Sequence, residues 1–293
     1  METVRQLKKI IEKNGPDRSD YGMLDSLLHN LTDQDFVAIQ QSDLLKNADL
    51  LKDDKSIMGH IFTKPYGYAG DFHIIDRIYT RNLNNNYVKW DQYSLENSAA
   101  QAVRNRKSYF QKLMHKKVKN WTSDKSIELL NVASGPARDL KELYDQLYNK
   151  SIINTTCVEM DAKAIVYAQN LNKAHLNHIN FIQKNIFRYN DTTKYDVIWS
   201  AGLFDYFNDK CFVKVLNKMK TWLTHQGEII IGNFNQDHNP SRKYMELFGD
   251  WFLVHRTKEE MIQLAEKAGF DRKNITVKSE AENVNLFLHI KQG

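Results

Sequence analysis

An apolar run that stops at a Gly-Pro pair, IELLNVASGPARD at residues 127–139, leads into a stretch able to enter a helix at Arg138. The next apolar run, TTCVEMD, closes on two acids, Glu159 and Asp161, about 25 residues after the glycine, which is the return distance of a βαβ unit. A turn at the end of one strand and a carboxylate at the end of the next suit a nucleoside, whose ribose diol would give the acid two charge-assisted hydrogen bonds. Only Gly135 is a glycine, however, and Ala133 and Ala137 stand where a dinucleotide fingerprint requires one. A pyrophosphate needs close backbone approach along the whole turn, which disfavours NAD and FAD. S-adenosylmethionine has no phosphate and fits such a loop. Its methionine end would lie over Ala133, Ser134, Gly135, Pro136 and Arg138, and its ribose on Glu159, beside Met160 and Asp161. Taken alone, the two acids read equally well as caps of the following helix.

Ligands of open α/β sheets bind beyond the carboxyl ends of the strands, so the remaining candidates are sought there. Asn185 and Ile186 follow the run FIQK, where an amide could meet the adenine amine, although asparagine is also a common turn residue. YDVIWSAGLFDYF carries Ser200, Ala201 and Gly202 into Phe204, Asp205 and Tyr206, a carboxylate and a phenol suited to a pocket beside a sulfonium. The alternative there is a helix start capped by Asp205 or Asp209. From Asn233 a long segment, GNFNQDHNPSRKYMELFGDWFLVHRT, brings Arg242, Trp251 and Arg256, and segments of this length are often lids. Tyr206, Asp205 and Arg242 are the catalytic candidates; Tyr66, Phe204, Tyr206, Asn233, Arg242, Trp251 and Arg256 are the acceptor-binding ones. Upstream, KPYGYAGD is expected to fold Tyr68, Gly70 and Asp71 over the cofactor, unless Asp71 caps the helix starting FHIIDRIY.

The elements that must position these residues fall into two textures. Residues 1–120 show apolar positions three and four apart, as in VRQLKKII and YGMLDSLLHNL, and are expected to form a helical cap and lid. Residues 121–293 alternate short apolar runs with amphipathic segments, the signature of an α/β, Rossmann-like fold. Strands are predicted at 127–132, 153–159, 179–183, 195–200, 227–233, 274–279 and 284–290, the last two as an antiparallel hairpin. Helices are predicted at 137–148, 161–175, 209–223 and 257–268, the last ending at Gly269.

Bulk properties exclude several classes. With 293 residues and 42% hydrophobic content the chain can bury a proper core. No apolar run long enough for a membrane span is present, so no stable membrane association is expected. Cys157 and Cys211 lack any metal-ligand or disulfide spacing; no metal and a cytoplasmic location are expected. The net charge of +5 is dispersed among acids, and the one basic cluster, RNRKSYFQKLMHKKVKNW, carries apolar residues at helical spacing, the mark of a helix with one buried face. The partner expected is therefore a small molecule, not nucleic acid.

LLNVASGPARDL, VEMDAKAI, YDVIWSAGLFDYF, NPSRKYMELFGDWFLVHRT and NVNLFLHI, with the upstream KPYGYAGDF, resemble the bacterial class I S-adenosylmethionine methyltransferases. Within them, the chain is similar to the branch that makes 3-hydroxy fatty acid methyl esters, quorum-sensing signals of the 3-hydroxypalmitate type, over residues 60–290. The resemblance implies a seven-stranded sheet with a reversed last strand and methyl transfer to oxygen. It also implies the same cofactor contacts: 133–136 and 138 to methionine, Glu159 and Asp161 to ribose, Asn185 and Ile186 to adenine. Two positions depart from the pattern: Asn131 replaces the acid that many class I enzymes carry before the loop, and Asn185 replaces the more usual aspartate. A fatty carboxylate acceptor is ionised near neutrality and needs no general base, only a dry pocket and an arginine fork from Arg242 or Arg256. Two other readings stay open: methylation of an amino acid, peptide or other metabolite, and a cofactor-binding regulatory protein.

Overall fold

The alternation within the first apolar strand decides how the sheet is covered. In this computed structural model, which describes residues 2–83 and 85–292, Ile127 and Leu129 face one layer, with Phe110, Met114, Leu140, Leu143 and Tyr144. Leu130 and Val132 face the opposite layer, with Phe212, Val215, Leu216, Met261 and Leu264. A period of two buried on both sides is what a central parallel strand requires.

The strands are β1 Ile127–Val132, β2 Ile153–Glu159, β3 Ile179–Gln183, β4 Tyr195–Ser200, β5 Leu223–Phe234, β6 Ile275–Ser279 and β7 Asn285–Lys291. They form one seven-stranded sheet in the order β3-β2-β1-β4-β5-β7-β6. β1 to β5 are parallel, and β7 runs antiparallel to both β5 and β6. The α/β class, the reversed last strand and the closing hairpin are thus as expected. The order reverses between β1 and β4, which places a crevice at their carboxyl ends.

The helices are α1 Glu2–Glu12, α2 Tyr21–His29, α3 Asp33–Gln41, α4 Asp43–Lys46, α5 Ile57–Thr63, α6 Phe72–Thr80, α7 Val88–Glu96 and α8 Ser98–Lys119 before the sheet. Within it come α9 Arg138–Gln146, α10 Ala162–Leu171, α11 Asp209–Trp222, α12 Arg242–Gly249 and α13 Lys258–Lys267. Their starts follow from local chemistry. Asn208 accepts the Cys211 N–H at 2.9 Å ahead of α11, so neither Asp205 nor Asp209 is the cap there. Thr257 and Glu260 form a capping box at α13. Gly269 ends α13 with φ +78, the left-handed conformation expected of it.

The chain divides into two compact units, Met1–Val103 with Asn239–Phe252, and Arg104–His238 with Leu253–Gly293. The first is helical. The segment expected to be a lid loop contributes α12 to it: Tyr244 bonds Ser94 through its hydroxyl at 2.8 Å, and Phe248 packs on Trp90 at 5.4 Å. Its apolar residues are four apart and fully buried, the periodicity of a helix obscured in sequence by the turn formers ahead of it. The second unit is the sheet with its covering helices. No helix among the described residues is long and apolar enough to cross a membrane.

Candidate active site

The loop between β1 and α9 is built from left-handed residues at every second position: Ala133 (φ 54), Gly135 (φ 52) and Ala137 (φ 50). Ser134 and Pro136, between them, are not left-handed. Alternation of this kind turns backbone N–H groups toward a common concavity. Each left-handed alanine costs roughly 1–2 kcal/mol. The loop thus has the shape that glycines usually permit, held by alanines under strain. Ala133 N–H is tied to the Val158 carbonyl at 2.8 Å and Ala137 N–H to the Ser134 carbonyl at 3.0 Å. A Cβ built on Gly135 would meet nothing within 4 Å, so the loop borders open space.

Glu159 joins this loop to β2. One carboxylate oxygen accepts the Gly135 N–H at 3.0 Å; the other accepts the N–H groups of Met160 (2.7 Å) and Asp161 (3.0 Å). Asp161 is the cap of α10, accepting the Lys163 N–H at 2.8 Å. The two acids read alike in the sequence are therefore divided: Asp161 caps, and Glu159 faces the loop. Asn185 accepts the Phe187 N–H at 2.9 Å and donates to the Met160 sulfur at 3.2 Å, so it is a turn residue that also fixes Met160 beside Glu159. The Met160 side chain is 62% exposed. Ile186 packs its side chain into the core, and its carbonyl accepts Lys218 Nζ at 3.3 Å.

At the switch point Ser200 donates to the Val132 carbonyl at 3.2 Å, closing β4 onto β1. Gly202 follows, and its missing side chain is required: a Cβ there would lie 2.8 Å from an Nη of Arg106. Two buried acids share the neighbourhood of that guanidinium. Burial pushes the Asp205 carboxyl up to about 7, opposed by its bond from the Phe234 N–H (2.7 Å) and by the charges of Arg106 and Arg256. Burial also raises Asp139 to about 6, opposed by the Leu140 N–H (2.9 Å) and by Arg106. Tyr206 is 46% exposed at the same strand end. The Nδ2 of Asn131, buried at the end of β1, has no hydrogen-bond partner, as befits a site whose polar complement comes from a ligand.

Several acceptor candidates are structural instead. Arg256, expected to offer its fork to a carboxylate, bonds the carbonyls of Phe204 (3.1 Å) and Phe207 (2.5 Å), Asn233 Oδ1 (2.8 Å) and Asp209 (3.1 Å). Asn233 is fully buried, accepting from Arg256 and donating to the carbonyls of Phe234 and Val254. Phe204 is fully buried against Phe207 and Phe212. In the helical unit Asp71 is the cap of α6, taking the His73 and Ile74 N–H groups at 2.9 Å while its other oxygen meets His60 Nε2 at 2.7 Å. That carboxylate is fully buried, so here it acts as the alternative reading had it, as a helix cap. Tyr66 packs on Phe72 at 4.6 Å, Tyr68 and Gly70 are half-buried, Trp251 is buried, and Arg242 pairs with Glu246 at 2.7 Å.

Arg106 and Asp139 were not among the sequence candidates. The signal for Arg106 was its place four residues before Phe110 and eight before Met114 on the buried stripe of α8, where an arginine among apolar positions is out of pattern.

A methyltransferase-domain family model matches residues 123–269. No curated protein matches the chain. Among solved structures, a Bordetella parapertussis protein described as a possible exported protein superposes with a TM-score of 0.66 at 14% identity, over 99% of this chain and 94% of that one. The magnesium protoporphyrin IX methyltransferase of Synechocystis, solved with S-adenosylhomocysteine, gives 0.54 at 11% identity over 74% and 91%. The same enzyme solved with S-adenosylmethionine gives 0.51 at 10% identity over 74% and 88%. At these identities the likeness is one of fold.

Proposed function

The chain belongs to the methyltransferase-domain family, and from that premise we propose that it uses S-adenosylmethionine to methylate a small-molecule carboxylate, a 3-hydroxy fatty acid of the quorum-signal type. The observation that carries the donor assignment is the joint made by Glu159 and the left-handed loop: an acid at the end of β2 bonded to Gly135, with open space before it. Glu159 receives the ribose hydroxyls, Met160 and the Asn185–Ile186 turn flank the adenine, and Ala133 to Arg138 lie along the methionine end. Bound there, the donor supplies an electrophilic methyl group on a positively charged sulfur.

The acceptor assignment rests on sequence resemblance and on chemistry. A carboxylate with an ordinary pKa of roughly 4–5 is already a nucleophile at neutral pH, so no residue has to remove a proton. What the chain must do is align the oxygen with the methyl carbon and exclude water, and alignment alone supplies much of the barrier reduction. Tyr206 is the proposed positioning hydroxyl. Tyr66, Tyr68, Trp251 and Arg242 are kept as acceptor-side residues on the sequence argument. The free cysteines Cys157 and Cys211 fit a cytoplasmic setting.

The test is a radiolabelled methyl-transfer screen against free 3-hydroxy acids, amino acids and amines. Base-labile label on a 3-hydroxy acid supports the proposal. Stable label on nitrogen replaces it with an amine acceptor. Donor binding with no transfer to any acceptor class favours a regulatory protein.

A further inference from the structure

We propose that Asn172 is a positioning residue for the donor loop, an inference that rests on the donor assignment above. From the far end of α10 its amide holds Ala137, the last left-handed residue of that loop, in the conformation the donor requires.

Asn172 is fully buried where α10 ends. Its Nδ2 serves two carbonyls: that of Ala168, one turn back in its own helix, at 2.9 Å, and that of Ala137 at 3.2 Å. Two acceptors facing one nitrogen fix the orientation of the amide, because an oxygen in that place would meet them with no proton to share. The Oδ1 turned away from them has no hydrogen-bond partner among the described residues. An unpaired buried amide oxygen is costly, so this side chain is a poor choice for packing alone. What it supplies is the pair of bonds it donates.

Ala137 is a residue that needs holding. It enters α9 at φ 50 and ψ 33, fully buried, in a conformation that disfavours any residue with a Cβ. Its N–H is bound to the Ser134 carbonyl, and its own carbonyl takes the Lys141 N–H at 3.1 Å, the first bond of α9. The bond from Asn172 ties that same peptide to α10 and favours the left-handed state over a relaxed one. α10 leaves β2 just beyond Glu159, through Met160 and the Asp161 cap. The segment is thus joined to the loop at both ends, by Glu159 onto the Gly135 N–H and by Asn172 onto the Ala137 carbonyl. On the donor assignment, this strut sets the spacing between the ribose acid and the backbone along the methionine end.

The test uses the full chain and calorimetric Kd for S-adenosylhomocysteine, with urea midpoints measured on every variant. In Asn172→Ser the hydroxyl can bond the carbonyl four residues back, as Ser94 and Thr63 do in their own helices at 2.8 and 2.7 Å. The bond to Ala168 is then kept and the bond to Ala137 is lost. The expected result is a Kd weakened by roughly 10-fold. Ala137→Gly removes the steric penalty of the left-handed state, so added to Asn172→Ser it should return the Kd to within about three-fold of the parent. The urea midpoint, which also registers the lost buried methyl group, should stay below the parent's. A residue that only packs gives no such selective rescue. A folded Asn172→Ser with unchanged Kd, or a loss that Ala137→Gly does not repair, overturns this proposal and leaves the donor assignment standing. A parent protein that does not bind S-adenosylhomocysteine overturns both. Should Asn172→Ser fail to fold, proton exchange of the Asn172 side-chain amide in the unaltered protein decides. Slowing by roughly tenfold or more on S-adenosylhomocysteine binding supports the proposal, and an unchanged rate overturns it.

Discussion

Glu159 and Gly135 are joined by a 3.0 Å hydrogen bond from the glycine N–H to the acid, so the end of β2 and the loop after β1 hold one shape together. Removing the carboxylate takes away the loop's anchor and, on the donor assignment proposed above, the ribose acceptor as well. Glu159→Ala is expected to weaken S-adenosylhomocysteine by on the order of 100-fold, since two hydrogen bonds to a charged group are lost. Asp161→Ala, which removes a helix cap, should cost about 1 kcal/mol of stability and leave nucleoside affinity within a few-fold. Calorimetry and denaturant melts on both variants separate the roles; equal affinities would remove Glu159 from the donor site.

The left-handed alanines invert the usual effect of glycine. Ala133→Gly relieves a strained backbone and is expected to leave stability unchanged or raise it by up to ~1 kcal/mol, although glycine normally destabilises. Gly135→Ala should lower stability by about 1 kcal/mol for the opposite reason, there being ample room for the methyl group. Urea midpoints for the pair read both effects.

Arg256 ties the loop after β4 to β5 through four hydrogen bonds while 2% exposed. Arg256→Met leaves buried carbonyls and an amide oxygen unpaired and should cost roughly 3–5 kcal/mol. The expected signature is a large fall in Tm. A stable variant with a raised acceptor KM would restore the acceptor-binding role first expected for this residue.

Asp205 makes stability depend on pH in a defined direction. Its folded value, about 7, lies above its ordinary 3.8, so the folded state holds the proton more tightly between those limits. The resulting stabilisation is complete below about pH 4 and lost as pH rises through about 7, amounting to at most ~4 kcal/mol. Asp139 adds a smaller contribution that ends near 6. Asp205→Asn keeps an acceptor for the Phe234 N–H and should flatten the slope between pH 4 and 7. Denaturant titrations at four pH values across that window measure it; a slope unchanged by the substitution would contradict the assignment.

How far the sequence could be read depended on whether the signal was local. Strand periodicity is local, and β1 to β4 occupy the predicted residues because each is an apolar run bounded by turn chemistry. The Glu159 position was legible for the same reason, as an acid closing such a run. Asp161, Asp71 and Arg256 were harder, because caps and ligand-binding groups use the same residue types and only the geometry of their donors separates them. For Arg256 those partners lie 23 to 52 positions away in the chain. Arg106 and Asp139 depend on the packing of α8 and α9 against the sheet, which no window of sequence contains. α12 was obscured by NPS and its neighbours, which announce a turn before a helix only two turns long.

The assignment of Asn239–Phe252 to the same compact unit as Met1–Val103 has a consequence for biosynthesis. Ribosomes deliver the N-terminal helices first, with Tyr21 and Asp25 to meet Tyr93, yet Tyr244 and Phe248, which pack on Trp90 and Tyr93 and bond Ser94, arrive only after five strands of the sheet have been made. Until then the aromatic face of α7 lacks the part of its native cover that α12 supplies. Nascent chains stalled before residue 239 should accordingly be chaperone clients, and those stalled beyond 252 should not, provided the segment has cleared the exit tunnel.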